Sequence, residues 1–108
     1  MLFLISFLIF LGTATVSFLE STITVTDQGT VTSGDVSKYK DQTIELVITY
    51  ANDVEIRSSA FNGFTKLTTI SIQCPQLDIR QNTFNECSSL TTLNINTQSL
   101  NIEPGVFS

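Results

Sequence analysis

The sequence predicts a solenoid, α/β or mainly β, built of 23-residue units with short parallel strands, single helical or 3₁₀ turns and an N-terminal β cap. Two observations carry this prediction. The segment Ile56-Arg-Ser-Ser-Ala60-Phe61-Asn-Gly-Phe64-Thr-Lys-Leu67-Thr-Thr-Ile70-Ser-Ile72 returns as Ile79-Arg-Gln-Asn-Thr83-Phe84-Asn-Glu-Cys87-Ser-Ser-Leu90-Thr-Thr-Leu93-Asn-Ile95. A third copy opens with Ile102-Glu-Pro-Gly-Val106-Phe107, and the step from Ile79 to Ile102 equals the step from Ile56 to Ile79. A fixed period of this size means that each unit buries its apolar edge against its neighbours.

From the N-terminus, Leu2 to Leu11 is apolar except for Ser6, and Gly12 to Ser17 is rich in small residues. Residues 1–17 therefore read as an export leader cleaved after Ala14 or Ser17. The other reading of the same stretch is a membrane anchor, because Leu2 to Leu19 carries no charge and about 20 apolar residues span a bilayer. Residues 18–43 form the cap: Ile23-Thr-Val25 and Thr30-Val31 alternate β-branched residues around Asp27-Gln-Gly29, which predicts a hairpin over the open end of the solenoid.

Residues 44–108 hold the repeats. Thr43 to Tyr50 is an earlier copy with a defect: Val54 and Ile56 align with Leu77 and Ile79 at the regular period, while Leu46 and Ile48 align with Ile70 and Ile72 only when one residue is added to it. One extra residue in the Tyr50–Asp53 loop accounts for the slip. In the next two units, Leu67-x-x-Ile70-x-Ile72 and Leu90-x-x-Leu93-x-Ile95 have leucine-rich repeat spacing. Their final alternation predicts parallel strands near 68–73 and 91–96.

On these strands Ile70, Ile72, Leu93 and Ile95 face the core, which leaves Thr69, Ser71, Gln73, Thr92, Asn94 and Asn96 outward on one sheet. Ala60-Phe61-x-x-Phe64 and Thr83-Phe84-x-x-Cys87 suit one helical or 3₁₀ turn, with Phe61 and Phe84 stacked as a ladder and Phe107 next in line. Leu77 and Leu100 close the segment between strand and turn. The predicted core is Phe61, Phe64, Leu67, Ile70, Ile72, Leu77, Ile79, Phe84, Cys87, Leu90, Leu93 and Ile95.

Little else in the sequence suggests chemistry. The net charge is −5, which does not suit nucleic acid or anionic lipid. There is no histidine, so neither a Ser-His-Asp triad nor a Cys-His pair can form, and no cofactor, metal or catalytic residue is expected. Asp53 and Glu55 form the only close acidic pair and read as solvated surface. Cys74 and Cys87 are expected to be unpaired, because position 87 matches Phe64 in the preceding unit and so is a core slot; one disulfide is the alternative.

The motif Ala60-Phe61-x-x-Phe64-x-x-Leu67-x-x-Ile70-x-Ile72, with its copy through Cys87, Leu90, Leu93 and Ile95, resembles the BspA-type leucine-rich repeat. The resemblance covers about residues 44 to 107. It departs from the family pattern at Thr83 and Phe64, both within core slots. The family occurs in bacterial surface antigens and protist surface proteins, so the resemblance implies a secreted or cell-surface module for adhesion or protein binding.

The polar row Thr69, Ser71, Gln73, Thr92, Asn94 and Asn96 is the candidate face for a protein or glycan ligand. The competing reading is a truncated structural remnant with no binding activity of its own. Val106 and Phe107 start a third unit that leaves Leu93 and Ile95 uncovered, so self-association through the C-terminal end is also expected.

Overall fold

The structure, a computed structural model, describes residues 16–107. Its strands are β1 (Val16–Leu19), β2 (Thr22–Val25), β3 (Thr30–Val31), β4 (Glu45–Thr49), β5 (Val54–Ile56), β6 (Thr69–Gln73), β7 (Gln76–Ile79), β8 (Thr92–Asn96) and β9 (Ser99–Ile102). A short helix α1 (Ser33–Val36) runs into a 3₁₀ turn at Ser37–Tyr39. The strands build two sheets, in the orders β1-β2-β4-β6-β8 and β3-β5-β7-β9, and only the β1–β2 pair is antiparallel.

The repeat period appears directly as strand register. Ile70 lies opposite Leu93 and Ile72 opposite Ile95, while Leu77 lies opposite Leu100. Leu46 pairs with Ile70 and Val54 with Leu77, so the extra residue falls in the loop between β4 and β5. There it lengthens a corner and leaves both ladders in phase.

The N-terminal segment differs from the hairpin expected over residues 23–34. β2 and β3 do not pair with each other: β2 joins β4 and β3 joins β5, both in parallel. Parallel stacking lets Ile23, Val25 and Val31 all point inward with no exposure. Gly29 makes the corner between the two sheets possible, because an added Cβ would lie 2.7 Å from the Asp53 carbonyl oxygen of the next coil. The hairpin in the molecule is β1–β2, turned at Glu20 and Ser21 with φ of 51° and 72°. Val16 and Ser17, read from sequence as the end of the leader, form the first half of β1; the rest of the leader lies outside the described residues.

The second sheet was not predicted. Val54–Ile56, Gln76–Ile79 and Ser99–Ile102 are too short to stand out by alternation, and they are strands because each coil offers its neighbour a paired edge.

The third side of each coil, at Ala60–Phe64 and Thr83–Cys87, is a run of separate i→i+3 hydrogen-bonded turns, where a single helical or 3₁₀ turn was expected. A helix needs every residue in the right-handed region, whereas Ser59, Asn82 and Glu86 have φ of 62°, 60° and 61° and Gly63 has 79°. The open backbone that results can pair between coils. Phe61 N–H donates to the Thr83 carbonyl at 2.9 Å, Gly63 N–H to Asn85 at 2.8 Å, and Phe84 N–H to Val106 at 2.9 Å.

Inside, Phe61, Phe64, Leu67, Ile70, Ile72, Leu77, Ile79 and Phe84 are all buried. The Phe61 and Phe84 rings stack at 5.5 Å between centroids and 15°, and Phe84 and Phe107 stack at 5.7 Å and 12°. Thr83, where the other unit has Ala60, is buried yet satisfied, its hydroxyl donating to the Arg80 carbonyl at 2.6 Å with the Arg57 carbonyl 3.1 Å away.

Four residues assigned to the core lie less deep. Leu93 is 45% exposed, and Cys87, Leu90 and Ile95 are half-buried, because no described strand follows β8 to cover them.

Both cysteines are free. Cys74 is buried, and Cys87 Sγ donates to the Phe61 carbonyl at 3.2 Å. Burial pushes the Cys87 thiol up to about 11.

Two stability outcomes are expected. Phe84→Ala should cost about 3–5 kcal/mol, because it opens a cavity between two stacked rings, whereas Phe107→Ala, at a ring already half in solvent, should cost clearly less. Denaturant melts of the two variants check the ranking; equal losses would exclude the ladder as a source of stability.

The second outcome concerns pH. The unfolded thiol ionises at roughly 8.5 and the folded Cys87 at about 11, so the folded state holds this proton more tightly. The Cys87 contribution is whole below the unfolded value and is lost as pH rises toward 11. Cys87→Ala should therefore flatten the alkaline fall in unfolding midpoint relative to the parent, as read by thermal melts across that range.

Candidate functional site

Parallel register arranges the outward residues of the first sheet in rows. Thr22, Glu45, Thr69 and Thr92 make one row; Thr24, Val47, Ser71 and Asn94 a second; and Thr49, Gln73 and Asn96 a third. Neighbours within a row are separated by one strand spacing, about 4.8 Å. The second and third rows form a groove of about 480 Å³ lined by Val47, Thr49, Ser71, Gln73, Asn94 and Asn96.

Four of the six residues proposed from sequence thus come together in this groove: Ser71, Gln73, Asn94 and Asn96. Among the described residues, none of these four side chains hydrogen-bonds within the fold. Their hydroxyl and amide groups are available to a partner.

Thr69 and Thr92 share the face but do not line the groove. They stand at the strand starts, 3.4 Å from the hydroxyls of Thr68 and Thr91. Those two neighbours tie coil to coil: Thr68 Oγ1 donates to the Ile44 carbonyl at 3.2 Å and Thr91 Oγ1 to the Thr68 carbonyl at 3.3 Å. The threonine column is part of the scaffold.

The groove is electrically quiet. Glu45 is the one charged residue in the three rows.

Charge collects on the second sheet, where Arg80 bridges Glu55 at 2.7 Å and Glu103 at 3.1 Å, and Arg57 lies 3.8 Å from Glu55. Both carboxylates push the Arg80 guanidinium up. Glu55, read from sequence as solvated surface, is thus half of a ladder that crosses three coils. The signal was present in the sequence, because Arg57, Arg80 and Glu103 occupy the same slot of successive units, but the diagonal to Glu55 needs the second sheet to be recognised as a sheet.

A second concavity, of about 510 Å³, lies at the C-terminal end among Phe84, Cys87, Leu90, Leu93 and Phe107. Among the described residues no three metal-ligating side chains cluster, and no described helix is long and apolar enough to cross a membrane.

Coils of about 23 residues each, two parallel ladders and a turn ladder stacked on phenylalanines define a leucine-rich repeat solenoid. Comparison with family models narrows this: the BspA type leucine rich repeat region matches residues 19–108 in 6 copies, and the chain belongs to that family. Neither the curated proteins nor the solved structures return a match. Membership points to a protein-interaction or adhesion module.

Proposed function

We propose that the chain is a secreted or cell-surface binding module, not an enzyme, whose groove on the first sheet engages a neutral stretch of protein or glycan. One observation carries this reading: Ser71, Gln73, Asn94 and Asn96 present unspent donors and acceptors in rows within one concavity. Ser71, Asn94 and Asn96 are short and lose less rotamer entropy when a ligand fixes them than the longer Gln73 does. With only Glu45 charged nearby, the face favours partners that hydrogen-bond over partners that are strongly ionic.

Arrays of neutral oligosaccharides and of immobilised extracellular proteins test the reading. Each of Gln73→Ala and Asn94→Ala should weaken any ligand found by roughly two- to twelve-fold, the worth of one hydrogen bond, while Asp78→Asn on the other sheet should leave it unchanged. Equal effects on both faces, or no ligand on either array, would sink the proposal in favour of a remnant without binding activity.

Export bears on the same reading. Cleavage after Ala14 keeps all 4 residues of β1, whereas cleavage after Ser17 removes Val16 and Ser17 from it. The exported chain should therefore begin at Thr15, as the intact mass of secreted protein will show; a chain beginning at Phe18 would contradict this.

A further inference from the structure

We propose that Asn62 is a self-modification site: its side-chain amide converts to a carboxylate through a cyclic imide formed with Gly63, and the stacking of the next coil holds that reaction back. The chemistry follows from the residue pair. The Gly63 nitrogen gives up its proton and bonds to the side-chain carbonyl carbon of Asn62, the bond from that carbon to the amide nitrogen breaks, and the amide nitrogen takes up a proton and leaves as ammonia. Water then adds to either carbonyl of the imide and opens the ring. The product is aspartate at position 62, or isoaspartate, in which the main chain runs through the side-chain carbons. Amide and water are consumed, acid and ammonia are formed, and no other reagent is needed.

Two features of the sequence permit this. Asn62 is exposed, so water reaches its amide. Gly63 has no Cβ, so nothing crowds its nitrogen as the ring closes. The following unit supplies a contrast, because Asn85-Glu86 fills the same slot. Glu86 adopts φ of 61°, close to the 79° of Gly63, so the backbone shape does not by itself demand glycine. The Glu86 side chain shields a nitrogen that is left open at Gly63.

The fold then controls when the Gly63 nitrogen is free. Gly63 N–H donates to the Asn85 carbonyl at 2.8 Å, across the boundary between coils. Asn62 N–H donates to the Ser59 carbonyl at 3.2 Å, which closes the turn on its other side. From the cap, the Lys40 side chain lies over the same peptide, with its Cδ 3.5 Å from the position that a Cβ on Gly63 would take. A nitrogen whose proton is engaged, in a turn held by both neighbouring coils, attacks only after those coils part locally. The Phe61 and Phe84 rings, stacked at 5.5 Å across the same boundary, resist that parting.

The modification is therefore a one-way record of coil opening. Isoaspartate puts an extra main-chain atom before Gly63, which displaces the Gly63 N–H from the Asn85 carbonyl and Phe64 from its buried seat. A coil that has stayed open long enough to react restacks out of register.

Peptide mass spectrometry of the full chain, expressed for export, purified and aged at mildly alkaline pH with and without unfolding urea, reads the rate at each asparagine. Asn62 should convert in urea and at least roughly ten-fold more slowly in buffer, the worth of one paired N–H at the strong end of its range, while Asn85 lags well behind Asn62 in both. Phe84→Leu, which thins the ring stack without emptying it, should raise the rate in buffer several-fold and leave the rate in urea unchanged, with a cooperative circular-dichroism melt confirming that it folds. Asn62→Gln, whose longer side chain closes a larger and slower ring, should abolish conversion at this position. Asn62 intact in urea, equal rates in urea and buffer, conversion of Asn85 as fast as that of Asn62, or a buffer rate that a folded Phe84→Leu does not move would each overturn the proposal.

Discussion

Backbone hydrogen bonding between successive coils at one fixed register is the constraint on which the rest of the molecule depends. It operates on all three sides of the coil: the first sheet, the second sheet, and the turn side through Phe61–Thr83 and Phe84–Val106. Once the register is set, identical slots superimpose, and the phenylalanine ladder, the threonine column and the Arg80 bridges all follow from it. A single extra residue is tolerated only at a corner, where the Tyr50–Asp53 loop absorbs it. Placed inside a strand, it would turn every inward residue outward.

Register also explains why the core accepts unlike side chains in one slot. Phe64 and Cys87 occupy equivalent positions, and Cys87 makes up for its smaller volume with a thiol directed at the Phe61 carbonyl. Ala60 and Thr83 are likewise equivalent, and the buried hydroxyl is accommodated because it donates to the Arg80 carbonyl. The backbone supplies a partner for whatever small polar group a slot contains. Depth in the core then follows the order of coils: Ile70 and Ile72, covered on both sides, are buried, whereas Leu93, with the same chemistry, is half in solvent.

Much of this was legible in the sequence, for a physical reason. The echo from unit to unit, the strands near 68–73 and 91–96 and the Phe61–Phe84–Phe107 ladder are nearest-neighbour properties, and a repeat writes its nearest neighbours into itself. What stayed hidden depended on more than one unit. The second sheet consists of strands of two to four residues, too short for alternation to declare them, and it exists because coils pair. The segment from Ile23 to Val31 resembles a hairpin locally, but its β-branched residues gain more by stacking on Leu46, Ile48 and Ile56 than by pairing with each other. The turn side kept its apolar spacing and its i→i+3 bonds, but as separate turns and not one continuous helical or 3₁₀ turn, since Ser59, Asn82 and Glu86 adopt positive φ that no pattern of hydrophobicity records. At the candidate site, alternation placed Ser71, Gln73, Asn94 and Asn96 together on the outward face of the first sheet, but it could not show that Thr69 and Thr92 lie outside the groove.

The division of charge between the two sheets ties the fold to its use. Both sheets have an outward face with the same freedom to vary, because alternation isolates outward residues from the core. On the second sheet that freedom is taken by Glu55, Asp78 and the arginines, and Glu55 and the arginines are occupied with one another across the coils. On the first sheet the outward residues of β6 and β8 are uncharged and spend no side-chain bond inside the groove. A scaffold surface satisfies itself, as the Arg80 ladder and the Thr68–Thr91 column do. A surface kept for a partner leaves its donors and acceptors open, and the groove between Thr49 and Asn96, which we propose for that role, has this character.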